Sequence, residues 1–127
     1  MITLANEVIK HVDISIIAGH RSKEEQDDLF HKGMSKLKFP ESKHNKTPSE
    51  AFDWIPYPVD WRDIDKFQSI AFFIKGVAAA NGIKIRLGCD WNGNFKTKDH
   101  SFLDFPHVEL VEPRILNRHE LELYTLE

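Results

Sequence analysis

The sequence has one cysteine, Cys89, so no internal disulfide can form and no cysteine-rich metal site can be assembled. It has no apolar run of membrane-spanning length. The most apolar window, Ile70 to Ala80, is interrupted by Lys75 and Gly76, so no membrane insertion is expected. Met1 to Glu7 lacks a basic segment leading into an apolar stretch, so no secretory signal is expected, and the chain should be made in a cytoplasm. An excess of positive charge is also missing. The formal net charge is −3, which argues against a nucleic-acid partner. No repeat, low-complexity tract or interdomain linker is apparent. What remains is 127 residues, 41% hydrophobic and 29% charged, enough for one domain with a core of its own.

Hydrophobic periodicity orders the chain. Leu4, Val8 and Val12 recur at helical spacing, and Asp13 to Gly19 is β-branched and closed by glycine, as a strand would be. Ser22 and Glu25 form a capping box that opens a helix running to about Lys32, with Leu29 and Phe30 expected inside. This places Arg21 at a strand-to-helix junction. Lys32 to Lys46 is basic and irregular, read as a solvated loop rather than a surface for an anionic polymer. Ala51 to Ile55 predicts a strand with Ala51, Asp53 and Ile55 on one face and Phe52 and Trp54 on the other, ended by Pro56. Phe67, Ile70, Ala71, Ile74, Val77 and Ala78 predict a helix over 64–80, stopped by Asn81-Gly82; Phe72 falls off its apolar stripe. Ile83 to Leu87 alternates as a strand, 88–100 is loop, and His107 to Leu110 is a last strand. The tail, 111–127, is read as a short helix or a frayed end. The expected fold is α+β: a single small domain with a largely antiparallel sheet and flanking helices.

Within this order one stretch carries chemistry. Asp53 is set between Phe52 and Trp54, where burying a carboxylate is costly unless a cation compensates it. A metal ion would do so, with His44 as a co-ligand reached across a loop, since the two lie nine positions apart. A third ligand can come from Asp104-Phe105-Pro106-His107. There His107 would bind the metal and Asp104 would stand just outside the ligand set, near a water. Two imidazoles and one carboxylate leave Zn²⁺ a fourth, open position, the arrangement of a catalytic site. No His-Glu-x-x-His sequence is present, which excludes the thermolysin-like zinc site.

Ser42-x-His44, Ala51-x-Asp53 and Asp104-x-x-His107 resemble the ligand pattern of the zinc D-alanyl-D-alanine dipeptidase and carboxypeptidase family. Gly19-His20-Arg21-Ser22, Gly88-Cys89-Asp90-Trp91 and Pro106-His107-Val108-Glu109-Leu110 are similar to its endolysin branch, the L-alanyl-D-glutamate endopeptidases of phages. The resemblance covers about Ile14 to Leu110. It implies a Hedgehog/DD-peptidase fold, with Zn²⁺ on His44, Asp53 and His107. It also implies Asp104 as general base, Arg21 as a substrate-contacting and charge-stabilising residue, and Ser42 in substrate contact or ligand support. The implied substrate is bacterial peptidoglycan, cut between L-Ala and D-Glu. The enzyme would be a monomer acting after a holin-like partner permeabilises the membrane. Two departures stand out: many members have seven residues from His to Asp with a glycine between, and Cys89 replaces a second glycine.

Rival readings carry their own residues. A D-Ala–D-Ala carboxypeptidase would use the same zinc ligands on a different bond. A non-catalytic zinc module would need neither Asp104 nor Arg21. A cysteine hydrolase would pair Cys89 with His100 or His107, although nothing nearby marks an activated thiol. Asp53 alone could form a structural ion pair with Arg21. His20, His31 and His119 have no partner pattern and are read as surface residues.

Overall fold

Leu4 and Val8 lie four residues apart, and this one-turn spacing gives the opening helix its single apolar face. In the computed structural model, which describes residues 1–97 and 104–111, that helix is α1, Ile2–Ile9, with both side chains fully buried. It is followed by β1 (Ile14–Ala18), α2 (Lys23–His31), a 3₁₀ turn (Lys43–Asn45), β2 (Ala51–Pro56), α3 (Ile64–Ala80), β3 (Ile85–Leu87) and β4 (His107–Leu110). The four strands form one antiparallel sheet in the order β1-β2-β4-β3. Among the described residues this is the α+β arrangement expected.

Period-two alternation separates the two faces of the sheet. Phe52 and Trp54 of β2 and Val108 of β4 are buried on one face, where α3 supplies Phe67, Ile70, Ala71, Ile74 and Ala78. α1 packs against α3 and completes that layer. Trp54 lies on Phe67 with ring centroids 5.6 Å apart, joining sheet and helix through the largest side chains of the core. The opposite face carries Asp53, His107 and Glu109.

Several boundaries differ from the sequence reading. β3 starts at Ile85 and not at Ile83, because the Ile83 amide donates to the Ala78 carbonyl (2.8 Å) and closes the end of α3. Gly82, at φ +68°, makes the turn that this closure needs. β2 continues through Pro56, which sits opposite Ile14 at the strand end, where a missing N–H is tolerated. β1 is shorter at both ends than 13–19, and its register shifts between Ile16 and Ala18, a bulge that leaves Ile17 exposed. Lys43–Asn45 is an ordered turn inside the stretch read as irregular loop. Phe72 stacks on Phe95 (5.6 Å), so its place off the stripe is occupied by a loop. The tail and His119 lie outside the described residues, apart from Val111, whose amide donates to Lys84 O.

Ile74, fully buried in the middle of α3, carries none of the polar chemistry. Ile74→Ala should lower unfolding free energy by about 2–5 kcal/mol in denaturant titrations while leaving metal affinity of the folded protein unchanged. A loss below about 1 kcal/mol would mean that α3 is not the main core helix.

Candidate metal centre

β2 and β4 pair so that Asp53 stands directly opposite His107, and on a sheet such a pair brings side chains into contact. His107 Nδ1 lies 3.1 Å from Asp53 Oδ1. His44 arrives from the 3₁₀ turn, with Nε2 3.5 Å from the same oxygen. One donor atom from each of the three residues lies within 4.8 Å of the others, a group able to hold a metal ion. The chemistry of the donors fits. His44 donates Nδ1–H to the Gly19 carbonyl (2.7 Å), so its Nε2 lone pair faces Asp53. His107 donates Nε2–H to Glu109 Oε1 (2.9 Å), which leaves Nδ1 toward Asp53. Each outer nitrogen is anchored and each inner one converges, the orientation that metal-binding imidazoles require.

The turn that carries His44 is built by its own sequence. Ser42 Oγ accepts the His44 amide (3.2 Å), and Asn45 Oδ1 accepts the Ser42 amide (3.1 Å), a reciprocal cap. Ser42 also lines the cleft beside the metal group, but its hydroxyl is engaged in this cap. The turn is tied to the segment before α2: Arg21 N donates to His44 O (2.8 Å) and Asn45 Nδ2 donates to Arg21 O (3.0 Å). The Arg21 guanidinium reaches into the site, with Nη2 3.8 Å from Asp53 Oδ2. The ion pair considered for Asp53 therefore exists alongside the two imidazoles.

α2 did not bury the side chains expected of it. Its capping box is present, but Leu29 and Phe30 are half-buried, and the one fully buried residue is Gln26. Gln26 Oε1 accepts from Arg21 Nη1 (2.9 Å), while its Nε2 donates to Leu37 O (2.6 Å) and Ser35 Oγ (2.9 Å). Gln26 thus aims Arg21 while anchored to the following loop. The signal was available: Gln26 falls on the face shared with Leu29 and Phe30, and a polar residue on an inward face needs partners.

Asp104 borders the same centre. Its amide donates to Gly88 O (2.7 Å), and the His107 amide donates to Asp104 O (3.0 Å), so the turn before β4 is fixed at both ends. Gly88 opens the loop of the Gly88-Cys89-Asp90-Trp91 motif, and a Cβ there would collide with the Asp104 carbonyl and lie 2.9 Å from His107 Cβ. Asp90, buried in the next turn, accepts the amides of Asn94 (3.2 Å) and Phe95 (2.8 Å), and Trp91 from that loop leans over His107 (5.8 Å between ring centroids).

Electrostatics follow from this packing. Burial opposes ionisation of Asp53, but hydrogen bonds from His107 and His44 overcome it and hold the carboxyl well below the usual range. Burial alone would lower the His107 pKa. The hydrogen-bonded carboxylates of Asp53 and Glu109 reverse this and raise it to about 9. Asp104 is pushed up by burial and by the charge of Asp53. The Cys89 thiol is buried and raised to about 11, chiefly by desolvation and then by Asp90, the reverse of what an attacking thiolate needs. His20 and His31 are exposed; His20 Nε2 lies 3.4 Å from Thr47 Oγ1, and His31 meets Phe30 edge-on. His100 lies outside the described residues.

The family model described as phage L-alanyl-D-glutamate peptidase matches residues 2–111. The chain belongs to that family. It is an L-alanyl-D-glutamate peptidase of the phage endolysin type. It is 32% identical over 105 residues to the L-alanyl-D-glutamate peptidase of Escherichia phage T5, covering 78% of this chain and 76% of that protein. In fold it is similar to the crystal structure of Serratia marcescens L-Ala D-Glu endopeptidase ChiX (TM-score 0.67, 23% identity), which covers 87% of this chain and 77% of that one.

Two outcomes follow from the centre. Gly88→Ala should cost about 1–3 kcal/mol and weaken metal binding as well, because relief of the clash moves Asp104 or His107. Parent-like thermal stability and metal titration would contradict the close approach. Because the His107 pKa is raised to about 9, a metal binding at this residue would have to displace a proton at neutral pH. Apparent metal affinity should therefore climb by about one log unit per pH unit from the ordinary imidazole range, flattening above about 9. Competition with a chromogenic chelator across pH reads this out, and a flat profile would exclude His107 as a ligand.

Proposed function

We propose that this peptidase is a single-domain, zinc-dependent endopeptidase that cuts the L-Ala–D-Glu bond of peptidoglycan stem peptides. Its zinc ligands are His44, Asp53 and His107. The observation that carries the reading is the pair of outward-anchored imidazoles converging on one carboxylate. Such a donor set leaves an open coordination position and suits Zn²⁺ among the biological divalent ions. When bound, zinc supplies Lewis acidity, acidifying a water and polarising the scissile carbonyl.

The remaining steps belong to the chain. Asp104 takes the proton of the attacking water and returns it to the departing D-Glu nitrogen, a role favoured by the upward shift of its pKa. Arg21, aimed by Gln26, offers its guanidinium to negative charge developing on the carbonyl oxygen or to the substrate carboxylate. Ser42 supports His44 through its cap. Among the described residues no helix is long and apolar enough to cross a membrane. A holin-like permeabilising partner is proposed to give this phage endolysin-type peptidase access to the wall.

The test is digestion of purified peptidoglycan followed by mass spectrometry of the products. New amino groups on D-Glu, with L-Ala left on muramic acid, are expected; release of free D-Ala alone would move the assignment to a carboxypeptidase. Stripping the metal should abolish activity and Zn²⁺ should restore it. Asp104→Asn should keep zinc by elemental analysis but lose turnover by about 10²–10⁴-fold, whereas His107→Ala should lose the metal itself. Full activity without metal, or an unimpaired Asp104→Asn, would refute the respective assignment.

A further inference from the structure

Two hollows meet at the metal centre, and both are bordered by Asp53 and Asp104. They differ in chemistry. The larger cleft, about 490 Å³, carries the cations Arg21, Lys36 and Lys43 along with Glu41 and Glu109. The smaller, about 420 Å³, has no charged residue beyond the two shared aspartates, and its walls are Ile17, Trp61, Ile64, Phe67, Phe105 and Pro106. Three of these are well exposed although large and apolar: Ile17 at 53%, Trp61 at 57% and Ile64 at 45%. Such clustering around one hollow is not accounted for by the core. Trp61 is also held in place, stacked on the buried Phe67 with centroids 5.3 Å apart and planes 18° apart.

We infer that the apolar hollow is the subsite for the muramyl sugar, with the indole of Trp61 as its platform. This rests on the proposed L-Ala–D-Glu cleavage and gives the substrate a direction across the centre. On the amine side of the scissile bond, D-Glu bears a free α-carboxylate, which suits the cleft that contains Arg21, Lys36 and Lys43. On the acyl side lie a methyl group and then the lactyl ether and pyranose of muramic acid, all uncharged, which suit the apolar hollow. The sugar sits roughly two residue lengths, about 7 Å, upstream of the scissile carbonyl, within reach of a wall that begins at Asp53 and Asp104. A fixed aromatic face binds the C–H face of a pyranose with little loss of side-chain entropy.

Two soluble substrates separate the contributions: N-acetylmuramyl-L-Ala-γ-D-Glu-diamino acid, and the same peptide with only an acetyl group in place of the muramyl unit. The ratio of their kcat/KM values should be about tenfold or more in the parent. In Trp61→Ala it should fall toward one, and Trp61→Phe should restore part of it. Ile17→Thr, at an exposed strand position on the same wall, should also lower the ratio and serves if Trp61→Ala fails to fold. Cleavage of both substrates with a parental ratio near one, or an unchanged ratio in folded variants, overturns the subsite while leaving the proposed reaction intact. Failure to cut either substrate between L-Ala and D-Glu overturns the reaction and the subsite with it.

Discussion

The pairing of Asp53 with His107 across β2 and β4 is the constraint on which the rest of the site depends. Asp53 shares a strand with Phe52 and Trp54, so the alternation that puts the aromatics under α3 points the carboxylate at the opposite face. A slip of one residue would drive Asp53 into the core and Phe52 into the site. Burial of the core therefore enforces the register of the chemistry. The carboxylate, only 19% exposed, then requires positive charge around it, and two imidazoles and a guanidinium converge there. With a metal in the same place the need is met more fully, because the histidines can be neutral and still satisfy the acid.

A second layer of hydrogen bonds holds the groups that the sheet does not carry. His44 belongs to no strand. It is placed by the Ser42 cap, by the Gly19 carbonyl just beyond β1, and by backbone exchange between its turn and Arg21. Arg21 in turn is aimed from α2 by Gln26, whose amide also binds the loop after the helix. α2 thus acts less as a hydrophobic layer than as a polar bracket. Every polar atom of Gln26 finds a partner, which makes burial of such a residue tolerable and its environment rigid.

Where pattern and environment agreed, the sequence was legible. The apolar stripe of α3, the two faces of β2, the capping box at Ser22 and the convergence of His44, Asp53 and His107 into a group able to hold a metal could all be read from spacing or from the family resemblance. What escaped was set by tertiary contacts that no local pattern contains. Ile83 alternates as a strand residue should, but the end of α3 claims its amide first. Leu29 and Phe30 mark the inward face of α2 by pattern, yet Gln26 is the residue buried, because the partner surface is polar. Gly88 resembles any loop glycine until Asp104 and the His107 Cβ are seen against it. The apolar hollow beside Trp61 joins β1, the segment before α3 and the turn before β4, three pieces far apart in the chain.

The unusual spacing between His44 and Asp53 has a structural resolution. If the extra residues strained the ligand geometry, the strain would have to pass through the ends of the loop. Both ends are fixed independently of its length. The Lys43 carbonyl accepts the Glu50 amide (3.1 Å), and the Lys43 ammonium lies 3.5 Å from Glu50 Oε1, so the loop base is closed one residue before His44 and three before Asp53. Glu50 is held from the other side by β4, whose Leu110 amide donates to its carbonyl (2.7 Å). Residues 46–49 lie within the loop that Lys43 and Glu50 close, and His44, inside the same loop, is held separately by the Arg21 amide (2.8 Å), so the loop tip can vary in number without moving His44 or Asp53. The added entropic cost of a loop longer by two residues is only a few tenths of a kcal/mol, since loop closure depends on the logarithm of length. Lys43 and Glu50 at the loop base, together with the Arg21 amide and Gly19 carbonyl on His44, rather than the residue count between His44 and Asp53, keep these two side chains in register.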